Sequence, residues 1–367
     1  MRFLFSILLL LRFATVAHAQ TANGRPINEL NGKDLYGAAC ATCHGADGKA
    51  SPQSLVGFEV PIPDFTDCSF ATPEADPDWE GIVKYGGPVR AFDRKMPGFG
   101  DALSDEQIGS VVDYLRTFCE DKGWPQGDLN LPRPLVTEKA FPENEAVLTT
   151  TIRRGSGSVG NDFVYEHRIG KRGQYEVSVP LDFRHGLTGG WNRGLGDVEV
   201  QYKHVLFHSM NSGSILSAGG EVVFPTGKET EGLGGGHTVA GAFGAFGQIL
   251  PRDSFFHLHA GWEHPITKAE AANEGFWRMA LGKTFMQANG GRAWSPMIEA
   301  LASREMEEGA KTEWDFVPEV QVSLSKRQHI LLNAGFRFPL NQRQERGKSF
   351  IVYLLWDWFD GGLFSGW

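Results

Sequence analysis

Cysteine is scarce in this chain, with four in 367 residues. That excludes the small secreted frameworks that several disulfides hold together. It also leaves Cys40 and Cys43 without a second C-x-x-C pair to complete a zinc knuckle. Positive charge is in deficit, 35 Lys and Arg against 44 Asp and Glu for a net charge of −9. A nucleic-acid binder would show a basic footprint instead. Beyond the amino terminus no run approaches the ~20 apolar residues that a helix needs to cross a bilayer. What is abundant is glycine, 46 residues, and aromatic side chains, 12% of the chain. That combination points to many tight turns and a β-rich portion.

The first nineteen residues read as an export signal. Arg2 supplies the positive start, Phe3 to Leu11 the apolar core, and Ala17-His18-Ala19 a small-x-small cleavage site. Arg12 interrupts the run, which argues against a membrane anchor, and no cysteine stands at the cut for lipid attachment. The expected mature chain begins at Gln20.

The string Cys40-Ala41-Thr42-Cys43-His44 carries the chemistry. C-x-x-C-H is the attachment pattern of a c-type haem, with two thiols for thioether bonds and an adjacent imidazole for the iron. A redox dithiol would sit in a βαβ context, whereas Leu35, Ala38 and Ala39 recur at helical spacing just before the string. We therefore expect one covalently attached haem c, bound by Cys40, Cys43 and His44. Of the other two cysteines, Cys68 and Cys119, an exported compartment permits a disulfide; two buried thiols are the alternative.

Trp79, Ile82 and Val83 mark a second helix, stopped by Gly86-Gly87-Pro88. A last helix starts at Ser104, with Ser104 and Gln107 in a capping-box pattern and Ile108, Val111, Val112 and Leu115 on one face. Between them runs Lys95-Met96-Pro97-Gly98-Phe99-Gly100. Met96 is the only methionine of the mature haem domain. This arrangement resembles a class I monohaem cytochrome c over roughly residues 25–122. The resemblance implies an all-α domain with Met96 as the distal iron ligand, which favours electron transfer over oxygen chemistry. It also implies a proline carbonyl, Pro63 or its competitor Pro61, that receives the Nδ1 proton of His44. Tyr36, Trp79 and Phe99 are expected to pack against the ring.

Residues 123–145, rich in Pro, Gly and charge, read as a linker. From about residue 146 the period changes to two. Tyr175, Val177, Val179, Leu181 and Phe183 alternate with polar neighbours, as do Val198, Val200 and Tyr202, and Phe256, Leu258, Ala260 and Trp262. About twelve such segments follow one another, with short connections such as Met210–Gly213 alternating with long ones such as Lys228–His237. The expectation is an antiparallel transmembrane β-barrel over 146–367. A soluble sandwich or lipocalin-like barrel would show the same alternation. Gly194-Leu195-Gly196-Asp197-Val198, Lys203 and Pro225-Thr226-Gly227 resemble the outer-membrane barrel family named for the meta-pathway of phenol degradation. That resemblance implies a fold and a location rather than a substrate. His257, His259 and Glu263 share one face, as a lumenal metal site or as ordinary polar lining.

A haem carrier joined to such a barrel is similar in architecture to fused outer-membrane cytochrome–porins. That similarity implies electron transfer at the bacterial outer membrane rather than substrate turnover. A domain of about 100 residues is too wide for the lumen of a twelve-strand barrel, so the cytochrome is expected at the periplasmic mouth. Its expected partners are a periplasmic electron carrier, outer-membrane lipid and a small redox species entering the lumen; nucleic acid is not among them. Two other readings remain open. One is an outer-membrane channel for small solutes with the haem domain as sensor or anchor. The other is a soluble exported cytochrome that binds a dehydrogenase through a β-sandwich.

Overall fold

The structure is a computed structural model and describes residues 26–57, 61–155, 157–185, 190–266, 271–344 and 346–358. The export signal, the cleavage site and the terminal Trp367 lie outside the described residues.

The amino-terminal part is helical: α1 (Gly32–Ala39), α2 (Ala41–His44), α3 (Gln53–Val56), α4 (Cys68–Ala71), α5 (Asp76–Tyr85) and α6 (Asp105–Arg116). Local chemistry sets the ends. The Asn31 side chain accepts from the Asp34 N–H to start α1, and Ser104 with Gln107 closes the anticipated capping box on α6. The two helices cross closely at Gly32, where a Cβ would stand 1.8 Å from the Ser110 carbonyl oxygen. Only glycine fits that crossing. Leu35 and Tyr36 of α1 then bury against Ile108, Val111, Val112 and Leu115 of α6. Cys68 and Cys119 are joined in a disulfide that ties α4 to the segment after α6.

The rest is a closed antiparallel barrel. Its fourteen strand segments form twelve staves, because two staves are each interrupted. These are β1 (Glu145–Arg153), β2 (Val159–Ile169), β3 (Gly173–His185), β4 (Trp191–Leu195 continued by Val198–Ser209), β5 (Ser214–Phe224) and β6 (Val239–Leu250). There follow β7 (Ser254–Pro265), β8 (Glu274–Lys283 continued by Phe285–Met286), β9 (Ala293–Glu305), β10 (Glu313–Ser323), β11 (Ile330–Pro339) and β12 (Ser349–Asp357). The break in β4 falls at Gly196-Asp197, where the Asp197 carboxylate accepts from the Gly227 and Gly235 N–H groups of the long β5–β6 loop. Closure is made by β1 against β12, from Glu145 opposite Asp357 to Arg153 opposite Ser349.

The period-two pattern sorts the faces. Outward residues are large, apolar and bare: Trp262 is 55% exposed, Phe336 52% and Leu181 47%. A continuous belt of this kind is untenable in water and is the surface an outer-membrane barrel presents to lipid. Inward residues include many polar and charged ones, among them Glu166, Glu176, Lys203, His257, Glu299, Glu319 and Asn333, all buried. The sandwich and lipocalin-like alternative would turn its polar face outward, whereas the outer face of this barrel is apolar.

Residues 123–145 differ from the expected linker. From Leu129 on they lie inside the barrel, against the inward faces of its staves. Leu129 packs on Val205, Ile215 and Ala245, and Leu131 on Phe255 and Met297. Leu135 lies so close to Gly335 that a Cβ there would be 2.8 Å from its Cδ1. The missing periodicity has a physical reason: this stretch is surrounded on all sides and has no single buried face.

The shortest connections, 170–172, 210–213 and 251–253, lie at the mouth where the chain enters the barrel at Glu145 and the described residues end near Asp357. The long connections lie at the other mouth. The helical domain sits over the short-turn mouth. Arg90 Nη1 donates to the Gly290 carbonyl at 2.6 Å, Arg172 Nε to the Gly123 carbonyl at 3.0 Å, and Arg327 stacks over Phe92 at 4.3 Å. His329 lies between Asp357 of β12 and Glu74 of the helical domain. The domain is thus docked across the mouth and does not enter the lumen.

Candidate haem site and lumen plug

The haem string forms its own helical turn, α2, immediately after α1. Tyr36 fixes it from below: its hydroxyl donates to the Gly45 carbonyl at 2.6 Å and lies 3.3 Å from that of His44. Burial, followed by the neighbouring Cys40, pushes the Tyr36 phenol well above its usual range, so it stays a donor. The His44 ring lies against Phe65 at 5.1 Å, and Phe65 against Trp79 of α5 at 5.3 Å. Trp79 in turn carries the Arg116 guanidinium over its face at 4.1 Å. These rings join the string to α5.

The far end of α5 holds the other expected ligand. The Gly87 N–H donates to the Met96 carbonyl at 3.0 Å, Phe99 N–H to Val83 at 2.9 Å and Gly100 N–H to Lys84 at 3.0 Å. The loop carrying Met96 is therefore laced along the end of α5. Cys40, Cys43 and His44 are brought together on one turn. Met96 stands on this separate, buttressed loop.

Does this chemistry suit a c-type haem? Cys40 and Cys43 are both free thiols. Burial, and then Cys43, raises the Cys40 thiol to about 11. Burial lowers His44 to about 4, so the imidazole is neutral at physiological pH, the form that binds iron. Its Nδ1 is buried with no hydrogen-bond partner. Neither Pro61 nor Pro63 supplies the expected carbonyl to it. Tyr36 and Trp79 lie in the domain's core, with Phe99 packed against it. Phe65, the ring lying on His44, was not anticipated; the available signal was its place in Pro61-Ile62-Pro63-Asp64-Phe65.

A second constellation was not anticipated. The plug is bolted to the wall by charge and hydrogen bonds. Arg133 Nη1 binds Glu145 at 2.6 Å and also Glu166. Lys203 Nζ binds Glu138 at 2.6 Å and the Lys139 carbonyl at 2.7 Å. Glu299 accepts from the N–H groups of Val136 and Thr137 and from the Thr137 hydroxyl. His257 Nε2 lies 3.1 Å from the Pro132 carbonyl, and His259 Nδ1 accepts from the Glu138 N–H at 3.4 Å. Both histidines hold the plug, and among the described residues no cluster of metal-ligating side chains occurs.

Residues 28–115 match the family described as cytochrome C oxidase, cbb3-type, subunit III. The chain is 28% identical over 108 residues to the thiosulfate dehydrogenase of Psychrobacter arcticus, covering 28% of this chain and 31% of that one. It thus spans about a third of that relative's length. Among solved structures, an outer membrane channel from Pseudomonas putida F1 is 13% identical with a TM-score of 0.42, over 62% of this chain and all of that one. The NanC porin is 10% identical with a TM-score of 0.42, over 58% of this chain and 100% of that one. A c-type cytochrome is 26% identical with a TM-score of 0.21, over 24% of this chain and 99% of that one. The amino-terminal part is a cytochrome c domain, its cofactor is a c-type haem, and it precedes a twelve-stranded outer-membrane barrel.

Proposed function

We propose that this chain is a monohaem electron carrier held at the outer membrane by its own barrel. One haem c is joined through thioethers to Cys40 and Cys43, with His44 as proximal and Met96 as distal ligand. When bound there, the haem would supply a one-electron iron couple. The protein's residues do the rest. Tyr36 fixes the turn that carries His44, Phe65 walls the imidazole, and the α5 terminus positions Met96. The observation that carries the reading is His44 itself, on one helical turn with two free thiols and with its ring walled by Phe65.

Short turns mark the periplasmic rim of outer-membrane barrels. That supports a cytochrome facing the periplasm, with a soluble periplasmic carrier as its redox partner and lipid around the strands. The plug bears on the route. With residues 129–143 held against the wall inside the lumen, the path left for a solute or a small redox species is narrowed. Electron exchange then occurs at the periplasmic face, and the barrel is an anchor. This weighs against the solute channel with a haem sensor.

The test uses protein made where cytochrome maturation operates. A Soret band that survives denaturing extraction, and that Cys40→Ala with Cys43→Ala abolishes, is expected. Its absence removes the carrier reading. In proteoliposomes the intact protein should pass small ions at background rates, and a variant with a Gly-Ser segment in place of residues 130–142 should conduct. Equal flux through both would restore the channel reading.

A further inference from the structure

Where the helical domain meets the barrel rim, a cavity of about 210 Å³ is lined by Pro73, Trp124, Asn144, His167 and Arg168 among others. Arg168, one residue from the end of β2, is only 8% exposed. Its guanidinium lies over the rings of Trp124 at 5.1 Å and Phe141 at 5.5 Å. One nitrogen, Nη2, donates to the Lys171 carbonyl at 3.2 Å. Nε and Nη1 are buried without any hydrogen-bond partner, and among the described residues no carboxylate pairs with Arg168. The acid whose field reaches it, Glu143, is already ion-paired to Lys139.

A buried cation with two unmade donors is costly by several kcal/mol unless something completes it. Water would satisfy the donors but not the charge. The other polar groups of the cavity are also donors or neutral. Asn144 spends its Oδ1 on the Arg168 N–H at 2.9 Å, which leaves its NH2 to donate. The His167 Nδ1 is buried and unpartnered as well. The cavity is smaller than the ~300 Å³ at which drug-sized pockets begin, so it suits a compact group. A planar guanidinium flanked by an amide donor matches a tetrahedral or planar oxyanion.

The geometry points to an oxyanion-binding site at the seam between cytochrome and barrel, with Arg168 as its charge and Asn144 as its second donor. The ligand chemistry is a phosphate-type group. Two sources can bring it. Tyr165, Tyr175 and Trp358 cluster at this same rim, Tyr165 lying 6.2 Å from Tyr175 and 5.8 Å from Trp358. Such belts sit at the level of lipid headgroups, so a phospholipid headgroup is one source and a free anion the other.

Calorimetric titration of the full-length holoprotein, in a zwitterionic detergent, tests this with two probes. These are inorganic phosphate and short-chain phosphatidylglycerol, with short-chain phosphatidylcholine as control. Saturable binding of at least one probe is expected, weakened at least tenfold in Arg168→Gln. Asn144→Asp keeps the Oδ1 acceptor for the Arg168 N–H while placing a carboxylate beside the guanidinium, and it should weaken binding to the same degree. Heat-modifiable gel mobility confirms that each variant keeps its barrel. Binding of phosphatidylglycerol over phosphatidylcholine, with the same loss in both variants, assigns a lipid headgroup. Binding of phosphate alone assigns a free anion. The site is refuted if neither probe binds saturably, or if binding persists unchanged in both variants. In that event Arg168 is only a pin between Trp124 and Phe141.

Discussion

The hydroxyl of Tyr353, on the last stave of the barrel, donates to the backbone carbonyl of Arg133 at 2.6 Å. The same carbonyl receives the side-chain amides of Gln321 and Asn333, each at 3.3 Å. At its other end Arg133 holds Glu145 and Glu166. A single plug residue is therefore gripped by five wall residues, from β1, β2, β10, β11 and β12, and it staples the seam where the barrel closes.

That grip predicts the cost of losing it. Arg133→Met leaves two buried carboxylates without their cation, which typically costs about 3–5 kcal/mol. The urea midpoint of barrel unfolding in detergent should fall accordingly. Adding Glu145→Gln and Glu166→Gln to Arg133→Met should recover much of the loss, because neutral amides need no counter-charge. If Arg133→Met alone unfolds at the wild-type midpoint, the plug is not held by this pair.

The haem string, the capping box at Ser104 and the alternation along the staves were legible because each is a local pattern. The string depends on five adjacent residues, the cap on four, and each stave on whether neighbouring residues face lipid or lumen. The plug was illegible for the opposite reason. Its partners are far along the chain, such as Glu299 for Thr137 and Ser217 for Ala140, and nothing local to residues 123–145 announces them. Buried charges on the inward faces of the staves, Glu166, Lys203, Glu299 and Glu319, were the available clue. A wet lumen explains such residues equally well, so the pattern alone could not choose. The proline carbonyl expected for His44 was a carry-over from the resemblance and not a pattern in these residues; in the structure Nδ1 has no hydrogen-bond partner and Phe65 lies on the ring.

Met96 can be separated from its loop. Met96→His keeps two strong axial ligands and should lower the midpoint potential by on the order of 100 mV or more, within the roughly 0.8 V that axial ligands command. Met96→Ala should open the distal position, giving a high-spin absorbance spectrum and binding of added imidazole. Gly86→Ala tests the buttress: φ is +84° there, and a Cβ would stand 2.9 Å from the Met96 carbonyl oxygen. It should loosen ligation, with a potential between those of wild type and Met96→Ala. An unchanged spectrum in Met96→Ala would show that the distal ligand lies elsewhere.

The disulfide between Cys68 and Cys119 closes a loop with a sequence separation of 51 residues. Loop-closure entropy for that length is about 4 kcal/mol, and native strain usually reduces the net effect to about 2–4 kcal/mol. Cys68→Ser with Cys119→Ser should lower the stability of the cytochrome domain by that amount. The midpoint of the barrel should move far less, since both cysteines lie in the helical domain. Equal losses in both domains would show that they unfold as one unit.

Asp128 joins the two domains and carries a pH dependence. It stands in the short turn Gly127–Leu129 at the head of the plug. Its Oδ1 accepts from the Asp76 N–H at 3.1 Å, at the start of α5, while its Oδ2 is buried without a partner. Burial, and then the charge of Asp76, raises its carboxyl to about 6. The folded state therefore holds this proton more tightly than the unfolded chain, whose carboxyl titrates near 4. Its contribution to stability is fully present below about pH 4 and is lost as pH rises through about 6. A shift of about two units corresponds to roughly 3 kcal/mol at most. Asp128→Asn keeps the Oδ1 acceptor and cannot ionise, so it should be more stable than wild type at pH 7 and indistinguishable from it at pH 4. Denaturant midpoints at the two pH values check this. A variant less stable than wild type at pH 7 would mean that the ionised carboxylate at the α5 terminus contributes more than its burial costs.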